Sequence, residues 1–356
     1  MHVTEFLAEY GLFLAKTLTL IIGILLVVAG VGAAVSKRRE AREGHVEVKH
    51  INRHFEEMQQ EIEDEILDES RLKQMHKEQK KRDKQEAKER KKAAKKGTEP
   101  EPERKRIYVL DFDGDLHASQ VDWLREEISA VLMMARKEDE VVVRLESGGG
   151  LVHGYGLAAS QLERIRRREI PLTICVDKVA ASGGYMMACI ANKLLTAPFA
   201  LVGSIGVVAQ LPNFHRLLKK HDVDYEVFTA GEYKRTVTLF GENTEHGRKK
   251  FVEELEDTHG LFKEFVAEYR PELDLEKIAT GEVWFGKRAL GLGLIDGIST
   301  SDDYLFDACE NADVYRVSYE LKKGLQERLS NFSVQTADRL ADRLVQKLQE
   351  SRFWSR

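Results

Sequence analysis

From residue 106 onward the sequence alternates between short apolar runs typical of strands and longer amphipathic runs with the period of helices. RIYVLDFDGD at 106–115 predicts a strand, residues 120–136 predict a helix, and EVVVRLES at 140–147 predicts a second strand. Further strands are predicted at 170–181, 194–200 and 223–231. Strands that alternate with helices form parallel βαβ units, so the chain is predicted to be an α/β protein with a sheet covered on both faces.

One apolar run near the N-terminus is about long enough to cross the roughly 30 Å hydrocarbon core of a bilayer. It extends from Thr17 to Val35 without a charged residue. A cleaved signal peptide is the alternative, but such a peptide begins with a basic segment, whereas Glu5 and Glu9 precede this run. Residues 1–36 are therefore predicted to be a single-pass transmembrane anchor, which makes a lipid membrane one predicted partner.

A charged extension covers residues 37–105. Its first part carries apolar residues at helical spacing, namely Ile51, Phe55, Met58, Ile62 and Ile66. This spacing predicts a helix that packs on a partner or on itself. The basic second part is typical of a solvated helix, a disordered tether or a strip that binds anionic lipid headgroups. GTEPEPE at 97–103 interrupts any helix and marks the start of the next domain, predicted at 106–316.

The C-terminal tail, residues 317–356, has apolar residues at steps of three and four. They are Leu321, Leu325 and Leu329, followed by Ala337, Leu340, Leu344 and Leu348. The pattern predicts an amphipathic helix. Such a helix packs either on its own domain or on a neighbouring subunit, and the sequence leaves both possibilities open.

Charge and cysteine content exclude several functional classes. The net charge of −5 argues against nucleic-acid binding. Cys175, Cys189 and Cys309 are odd in number and show neither metal-ligand spacing nor a disulfide framework. The glycine spacing fits neither a P-loop nor a dinucleotide-binding fingerprint. The sequence thus predicts no metal and no cofactor, with buried free thiols at 175 and 189.

Ser182 lies where a predicted strand passes into a predicted helix, in Ala181-Ser182-Gly183-Gly184. A turn of this kind projects its side chain from the carboxyl edge of the sheet, where open α/β folds place their sites. The start of the helix adds N–H groups without intrahelical partners. A serine that merely caps a helix gives the same pattern, so this feature alone does not identify a nucleophile.

A glycine run, Ser147-Gly148-Gly149-Gly150, follows another predicted strand. Bare N–H groups in such a run form a concave nest for an anion. The nest could hold a phosphate, or an oxyanion, in which case each donor contributes about 10²–10³ in rate.

A serine nucleophile needs a base, which is usually histidine. Histidines are present at 117, 153, 215, 221, 246 and 259, mostly in polar or helical contexts. Lys234, in GEYKR at 231–235, is the alternative. A lysine acts as a base when desolvation and nearby dipoles lower its pKa.

Taken together and in this order, these motifs resemble the signal peptide peptidase A family of serine–lysine proteases, and most closely its SohB-type branch. The resemblance covers roughly residues 106–316. It rests on SGGG at 147–150, ASGGY at 181–185, VGSIGVV at 202–208, GEYKR at 231–235 and WFGKRALGLGLID at 284–296.

The resemblance implies a serine endopeptidase in which Ser182 attacks the peptide carbonyl and Lys234 is the general base. Ser204, in the GSIGV turn, would orient the lysine. The oxyanion hole would consist of the Gly183 N–H and one from Gly149 or Gly150.

The resemblance also implies how substrate binds and how the protein assembles. The segment containing Ser147, Gly148 and Leu151 would pair with an extended substrate as an added strand. The fold would be an αβ spiral of the Clp protease and crotonase superfamily. The chain has one such unit, so a homo-oligomer is expected, acting on apolar peptides or membrane proteins at the bacterial inner membrane.

Two alternatives to a protease are a non-catalytic membrane scaffold and a crotonase-type acyl-CoA enzyme. The crotonase type would share the spiral and the glycine nest but would need no serine–lysine pair. The membrane side is also open. Family members act outside the cytoplasm, whereas Lys37, Arg38, Arg39 and Arg42 after the apolar run favour the cytoplasmic side.

Overall fold

The structure is a computed structural model that describes residues 44–68 and 104–321, with residue 17 and the isolated positions 70, 71, 77, 81, 84 and 88. The predicted anchor, apart from Thr17, and the tail beyond residue 321 lie outside these ranges, as does most of the basic part of the extension. Among the described residues, no helix combines the length and apolar character needed to cross a membrane.

Ten strands form one sheet in the described part of the chain. They are β1 (Gly44–His50), β2 (Lys105–Gly114), β3 (Glu140–Ser147), β4 (Leu172–Val176), β5 (Val179–Ala181), β6 (Lys193–Thr196), β7 (Leu201–Gly203), β8 (Val283–Phe285), β9 (Gly297–Ile298) and β10 (Ala312–Leu321). The main order is β1-β10-β2-β3-β4-β6-β9, and β5 joins β3 to β7, which pairs with β8. The pairs from β10 through β9 are parallel, whereas β7 and β8 are antiparallel.

Helices connect these strands, as the alternating sequence predicts. They are α1 (Ile51–Ile66), α2 (Val121–Met134), α3 (Val152–Arg166), α4 (Gly183–Ala188), α5 (His215–Lys220), α6 (Glu245–Tyr269), α7 (Leu275–Ile278), α8 (Gly286–Gly291) and α9 (Ser301–Asn311). The predicted mixed α/β class is therefore confirmed.

The centre of the sheet is covered on both faces. On β3, Val141 and Val143 belong to a large core that includes residues of α2, α3, α4 and α6. Between them, Val142 belongs to a smaller core on the opposite face, together with Leu305 of α9. Successive side chains of a strand point to opposite faces, so an unbroken apolar run buries both. Each such aliphatic side chain contributes roughly 1.5–3 kcal/mol on burial.

The segment predicted as one strand at 170–181 is divided into β4 and β5. Asp177, between them, accepts hydrogen bonds from the Ser301 N–H at 2.8 Å and the Ser301 hydroxyl at 2.5 Å. The carboxylate ties this point of the chain to the start of α9, and the strand that follows leaves β4 to pair with β7. The division decides where Ser182 lies, because Ser182 follows β5 and not β4.

The prediction of a strand at 223–231 is wrong, since residues 223–229 have no regular secondary structure. Val223, Tyr225 and Val227 alternate as in a half-buried strand, yet they are 46%, 48% and 44% exposed. An alternating pattern produces a strand only where a neighbouring strand supplies hydrogen bonds and a covering layer.

The extension contributes to the sheet, which the sequence did not indicate. The helix predicted from Ile51 to Ile66 is confirmed as α1, but the residues before it form β1 beside β10. Asn52, only 8% exposed, fixes this arrangement. Its amide donates to the carbonyls of Cys309 at 3.0 Å and Ala312 at 2.9 Å and accepts from the Val314 N–H at 2.8 Å.

The compact units of the chain consequently differ from the predicted domain boundaries. The larger unit is Val46–Ser318. The larger unit begins within the predicted extension instead of at residue 106. Residues 317–321, assigned from sequence to a tail helix, belong to strand β10.

Candidate active site

Ser182 occupies a strained turn between β5 and α4. Its φ is 52° and its ψ is −120°, a conformation that side-chain-bearing residues rarely adopt. Such a residue costs of order 1–3 kcal/mol and is typical of functional sites. Ser182 is half-buried, whereas the eight residues after it, 183–190, are buried. A nucleophilic serine on a sharp strand-to-helix turn has these properties, because the turn lifts the hydroxyl above the sheet edge.

Parallel pairing brings the ends of three strands together at this edge. Ala180 of β5 is in register with Ser147 of β3 on one side and with Val202 of β7 on the other. The Ser182 N–H extends the β5–β7 pairing by one bond, to the Gly203 carbonyl at 2.8 Å. The glycine run after β3, Ser182 after β5 and Ser204 after β7 therefore lie side by side.

The glycine run packs directly against Ser182. Gly149 has a φ of +86°, and a Cβ placed on it would come within 2.7 Å of the Ser182 Cβ and 2.8 Å of the Gly183 nitrogen. A side chain on Gly150 would overlap the Leu116 carbonyl. By contrast, Gly148 is exposed and has nothing near its Cβ position. The run thus presents its main chain both to the turn and to solvent.

Three N–H groups, those of Gly183, Gly149 and Gly150, are the predicted candidates for an oxyanion hole. Gly183 is the first residue of α4, and an N–H at that position has no intrahelical acceptor. The Gly149 N–H, in contrast, is donated to the Ser147 hydroxyl at 3.0 Å. Of the two predicted partners for Gly183, Gly149 is therefore already engaged by a hydrogen bond, and Gly150 stays a prediction.

Ser147 and Leu151, predicted to bind substrate, have different surroundings. Ser147 is buried, and its hydroxyl bonds to that of Tyr155 at 2.6 Å. Ser147 as a whole is only 1% exposed, so it offers no accessible surface to a peptide in this structure. The Leu151 side chain is exposed, while its N–H donates to the Leu116 carbonyl at 2.8 Å.

Ser204 lies on a second strained turn, with a φ of 53°. It is half-buried, and its N–H donates to the Glu282 carbonyl at 2.6 Å. The preceding Gly203 has a φ of +102°, and a Cβ there would come within 2.7 Å of the Trp284 ring. A ring nitrogen of His259 lies 3.2 Å from the Ile205 carbonyl, so one of the histidines considered above contacts this turn.

Lys234 lies on an exposed segment, residues 207–241, in which α5 is the one helix. In the described structure no hydrogen bond or ion pair joins Lys234 to Ser182 or Ser204. Lys234 instead lines an open concavity of about 720 Å³. The other lining residues are Leu211, Tyr225, Val227, Phe228, Thr229, Ala230, Arg235, Val237, Thr238, Leu239 and Phe240. The structure therefore brings Ser182, Ser204 and the glycine run together but not Lys234.

Sequence reasoning missed Tyr155, which lies beneath the site. Its ring is fully buried, and a Cβ on Gly183 would overlap it. Its position in VHGYGLAAS gives no signal, because an aromatic residue at this spacing is typical of any helix core.

The cysteines are consistent with structural thiols. Cys175 and Cys189 are free and buried, and burial raises the pKa of each thiol to about 12. Among the described residues, no group of histidine, cysteine and carboxylate side chains is arranged to hold a metal ion.

Comparison with known proteins gives the family. Residues 5–162 match the model "Peptidase family S49 N-terminal", and residues 164–315 match "Peptidase family S49". A protein of Haemophilus influenzae named "Probable protease SohB" is 52% identical over 348 residues, which is 97% of this chain and 98% of that protein. A protein of the same name from Buchnera aphidicola is 56% identical over 227 residues, covering 64% of this chain and 68% of its own length.

A solved structure of a membrane-bound stomatin-specific protease with a substrate peptide aligns over 65% of this chain and 99% of its own. Its TM-score of 0.39 and identity of 14% are too low to support an argument about this chain. The near-full-length match in sequence is decisive instead: the chain belongs to peptidase family S49, in the SohB-type branch of the signal peptide peptidase A family.

Proposed function

We propose that the chain is a membrane-anchored serine endopeptidase in which Ser182 is the nucleophile and Lys234 the general base. Membership of a peptidase family supports proteolysis as the activity. The observation that carries the assignment of the nucleophile is the strained turn at Ser182, packed against the Gly149 main chain with the Gly183 N–H beside it. The αβ spiral of the Clp protease and crotonase superfamily is part of the same proposal.

In this mechanism the Ser182 oxygen attacks the peptide carbonyl while neutral Lys234 accepts the serine proton. The resulting oxyanion is held by the N–H groups of Gly183 and Gly150. Lys234 then returns the proton to the departing amine, which leaves an acyl-enzyme. Water, deprotonated by the same lysine, hydrolyses the ester and regenerates Ser182. Ser204 would orient the lysine, because its turn lies beside that of Ser182.

Lys234 must approach Ser182 for this reaction. The segment 207–241 that carries it exposes large apolar side chains, with Val208 79% and Phe228 88% exposed. Leu211, Tyr225, Phe228 and Phe240 line one concavity, and exposed apolar side chains gathered in this way indicate a surface that binds another molecule. We propose that an apolar stretch of peptide, from a membrane protein or a signal-like sequence, occupies the concavity beside Lys234. A neighbouring copy would cover the rest of the segment, which would then close over Ser182.

A phosphonate probe that reacts with activated serine tests this function. Full-length protein in detergent should be labelled stoichiometrically, and digestion should place the label on Ser182. A non-catalytic scaffold would give no labelling. Trapping by an acyl-CoA analogue, without phosphonate labelling, would identify a crotonase-type enzyme instead.

We further propose that the chain acts as a homo-oligomer at the bacterial inner membrane, anchored by residues 1–36. The cations after the apolar run favour the cytoplasmic side for the protease domain. Head-to-tail contacts that close into a ring would cover the exposed segment of each copy without leaving an open end.

A chain beginning at residue 44, which keeps β1 and α1, is expected to be a closed oligomer by light scattering. Its specific activity should fall on dilution, in step with dissociation, because covering segment 207–241 is needed to bring Lys234 to Ser182. A Val208→Ser variant, which removes a 79% exposed side chain that does not line the concavity, should shift dissociation to higher concentration. A monomer with full activity would contradict the oligomer proposal.

A further inference from the structure

A continuous chain of hydrogen bonds runs beneath the glycine run. The Gly149 N–H lies 3.0 Å from the Ser147 hydroxyl oxygen, which lies 2.6 Å from that of Tyr155, and the Tyr155 hydroxyl donates to the Asp115 carbonyl at 2.7 Å. Each hydroxyl has one hydrogen to donate. Because Tyr155 donates its hydrogen to Asp115, it accepts from Ser147, which in turn accepts from Gly149. Every donor in this chain therefore has one defined acceptor.

The hydrogen-bonded groups are tightly packed and buried. A Cβ on Gly114 would come within 2.5 Å of both the Ser147 and the Tyr155 hydroxyl oxygens. Tyr155 and Ser147 are both essentially inaccessible to solvent. Burial raises the pKa of the Tyr155 hydroxyl, and the carboxylates of Asp115 and Asp113 add to the rise, so the hydroxyl stays a donor at neutral pH.

Tyr155 touches both walls of the candidate oxyanion hole. Through Ser147 it holds Gly149, whose Cα abuts Ser182. Its ring packs against Gly183, the first residue of α4, so closely that only glycine fits there. The buried Tyr155 side chain thus sets the distance between the glycine run and the start of α4, the two main-chain segments that would hold an oxyanion.

We propose that Tyr155 and Ser147 are positioning residues that fix the glycine run against the Ser182 turn and so keep the oxyanion hole in its reactive geometry. This inference rests on the proposed role of Ser182. It gives Ser147 a role through its side chain that differs from binding substrate. Removing one hydrogen bond of this series leaves the reacting groups present but positions them less precisely. A displacement of about 1 Å can lower the rate on the order of 10²-fold.

The test compares two tyrosine variants that lose equivalent hydroxyls. Tyr155→Phe removes the middle of the chain. Tyr185→Phe is the matched control, because Tyr185 is also fully buried and its hydroxyl also donates to a main-chain carbonyl, that of Leu294 at 2.8 Å. We expect the two variants to lose similar thermal stability, since each loses one hydrogen bond from a buried tyrosine hydroxyl to a main-chain carbonyl.

The two variants, Tyr155→Phe and Tyr185→Phe, should differ in kcat. Tyr155→Phe is expected to lower kcat at least about 10-fold with KM nearly unchanged, because a misplaced oxyanion donor weakens binding of the transition state and not of the substrate. The rate of labelling by the phosphonate probe should fall in parallel. Tyr185→Phe should keep wild-type kcat and labelling. Equal kcat values for the two variants would overturn the inference.

Ser147→Ala keeps the test decisive if Tyr155→Phe does not fold, since it cuts the same chain at the next link and is expected to lower kcat similarly. The two changes combined should cost little more than either alone, because both break one connection. Fully additive losses in log kcat would show that Ser147 and Tyr155 do not act through one series of hydrogen bonds. Failure of this inference is distinguishable from failure of the proposed function, since an active Ser182→Ala variant refutes the function, whereas unaltered kcat in Tyr155→Phe refutes only the positioning role.

Discussion

The Ser182→Ala variant is expected to lose peptide hydrolysis by a factor on the order of 10⁴ or more and to keep its fold. A nucleophile and its base act as a unit, so removal of the hydroxyl leaves only binding and the oxyanion hole to accelerate the reaction. Stability should change little, because the Ser182 side chain does not cap α4 and alanine retains the Cβ. Activity is measured as kcat on an unstructured fluorogenic peptide, and stability as Tm of the same preparation.

A Ser182→Gly variant provides the matched control for this result. It should be equally inactive, yet more stable than the alanine variant by about 1 kcal/mol, because glycine adopts a φ of 52° without steric cost. Together the two variants separate loss of the hydroxyl from relief of backbone strain. If Ser182→Ala retained a tenth or more of wild-type kcat, Ser182 could not be the nucleophile.

Lys234→Ala and Lys234→Arg are both expected to lower kcat by about 10³-fold or more. The arginine variant is the sharper of the two. It retains the positive charge and the length of the side chain, but an arginine cannot be deprotonated in a protein and therefore cannot accept the serine proton. Both variants should fold normally, because Lys234 is exposed and makes no hydrogen bond through its side chain in the described structure.

Arg235→Ala is the matched control for the loss of one exposed cation, since Arg235 is adjacent, equally exposed and lines the same concavity. It should retain near wild-type kcat. Ser204→Ala should give a partial loss, between those of Arg235→Ala and Lys234→Ala, because Ser204 would orient the base without reacting. An active Lys234→Arg variant would show that position 234 needs only a positive charge, and a different base, such as His259 beside the Ser204 turn, would then have to be sought.

Local sequence predicted much of this site because its main features depend on short-range rules. A strand followed by a serine, two glycines and a helix predicts the turn at Ser182, and a strand followed by three glycines predicts the concave run at 148–150. Such patterns reflect allowed backbone angles and the direction of side chains at the edge of a parallel sheet. The same rules predicted the order of strands and helices around β2, β3 and β4.

Where local rules failed, the outcome depended on a partner distant in sequence. Residues 223–231 have the alternation of a strand but no neighbouring strand with which to pair. Residues 44–50 form β1 because they lie beside β10, and Asn52 at the start of α1 bonds to three main-chain groups between Cys309 and Val314, more than 250 residues away. No periodicity within either segment contains that information.

By itself, the sequence determined the α/β class, the family and the turn on which Ser182 lies, because each follows from residues that are neighbours in the chain. The tertiary structure alone decided that Tyr155 and Ser147 form one chain of hydrogen bonds with Gly149, and that the Gly149 N–H is already engaged there. The register of β3, β5 and β7 and the packing of Tyr155 against Gly183 set those contacts. Hydrogen bonds between buried groups depend on distances fixed by the whole core, and those distances exist only once the sheet and its helices have packed.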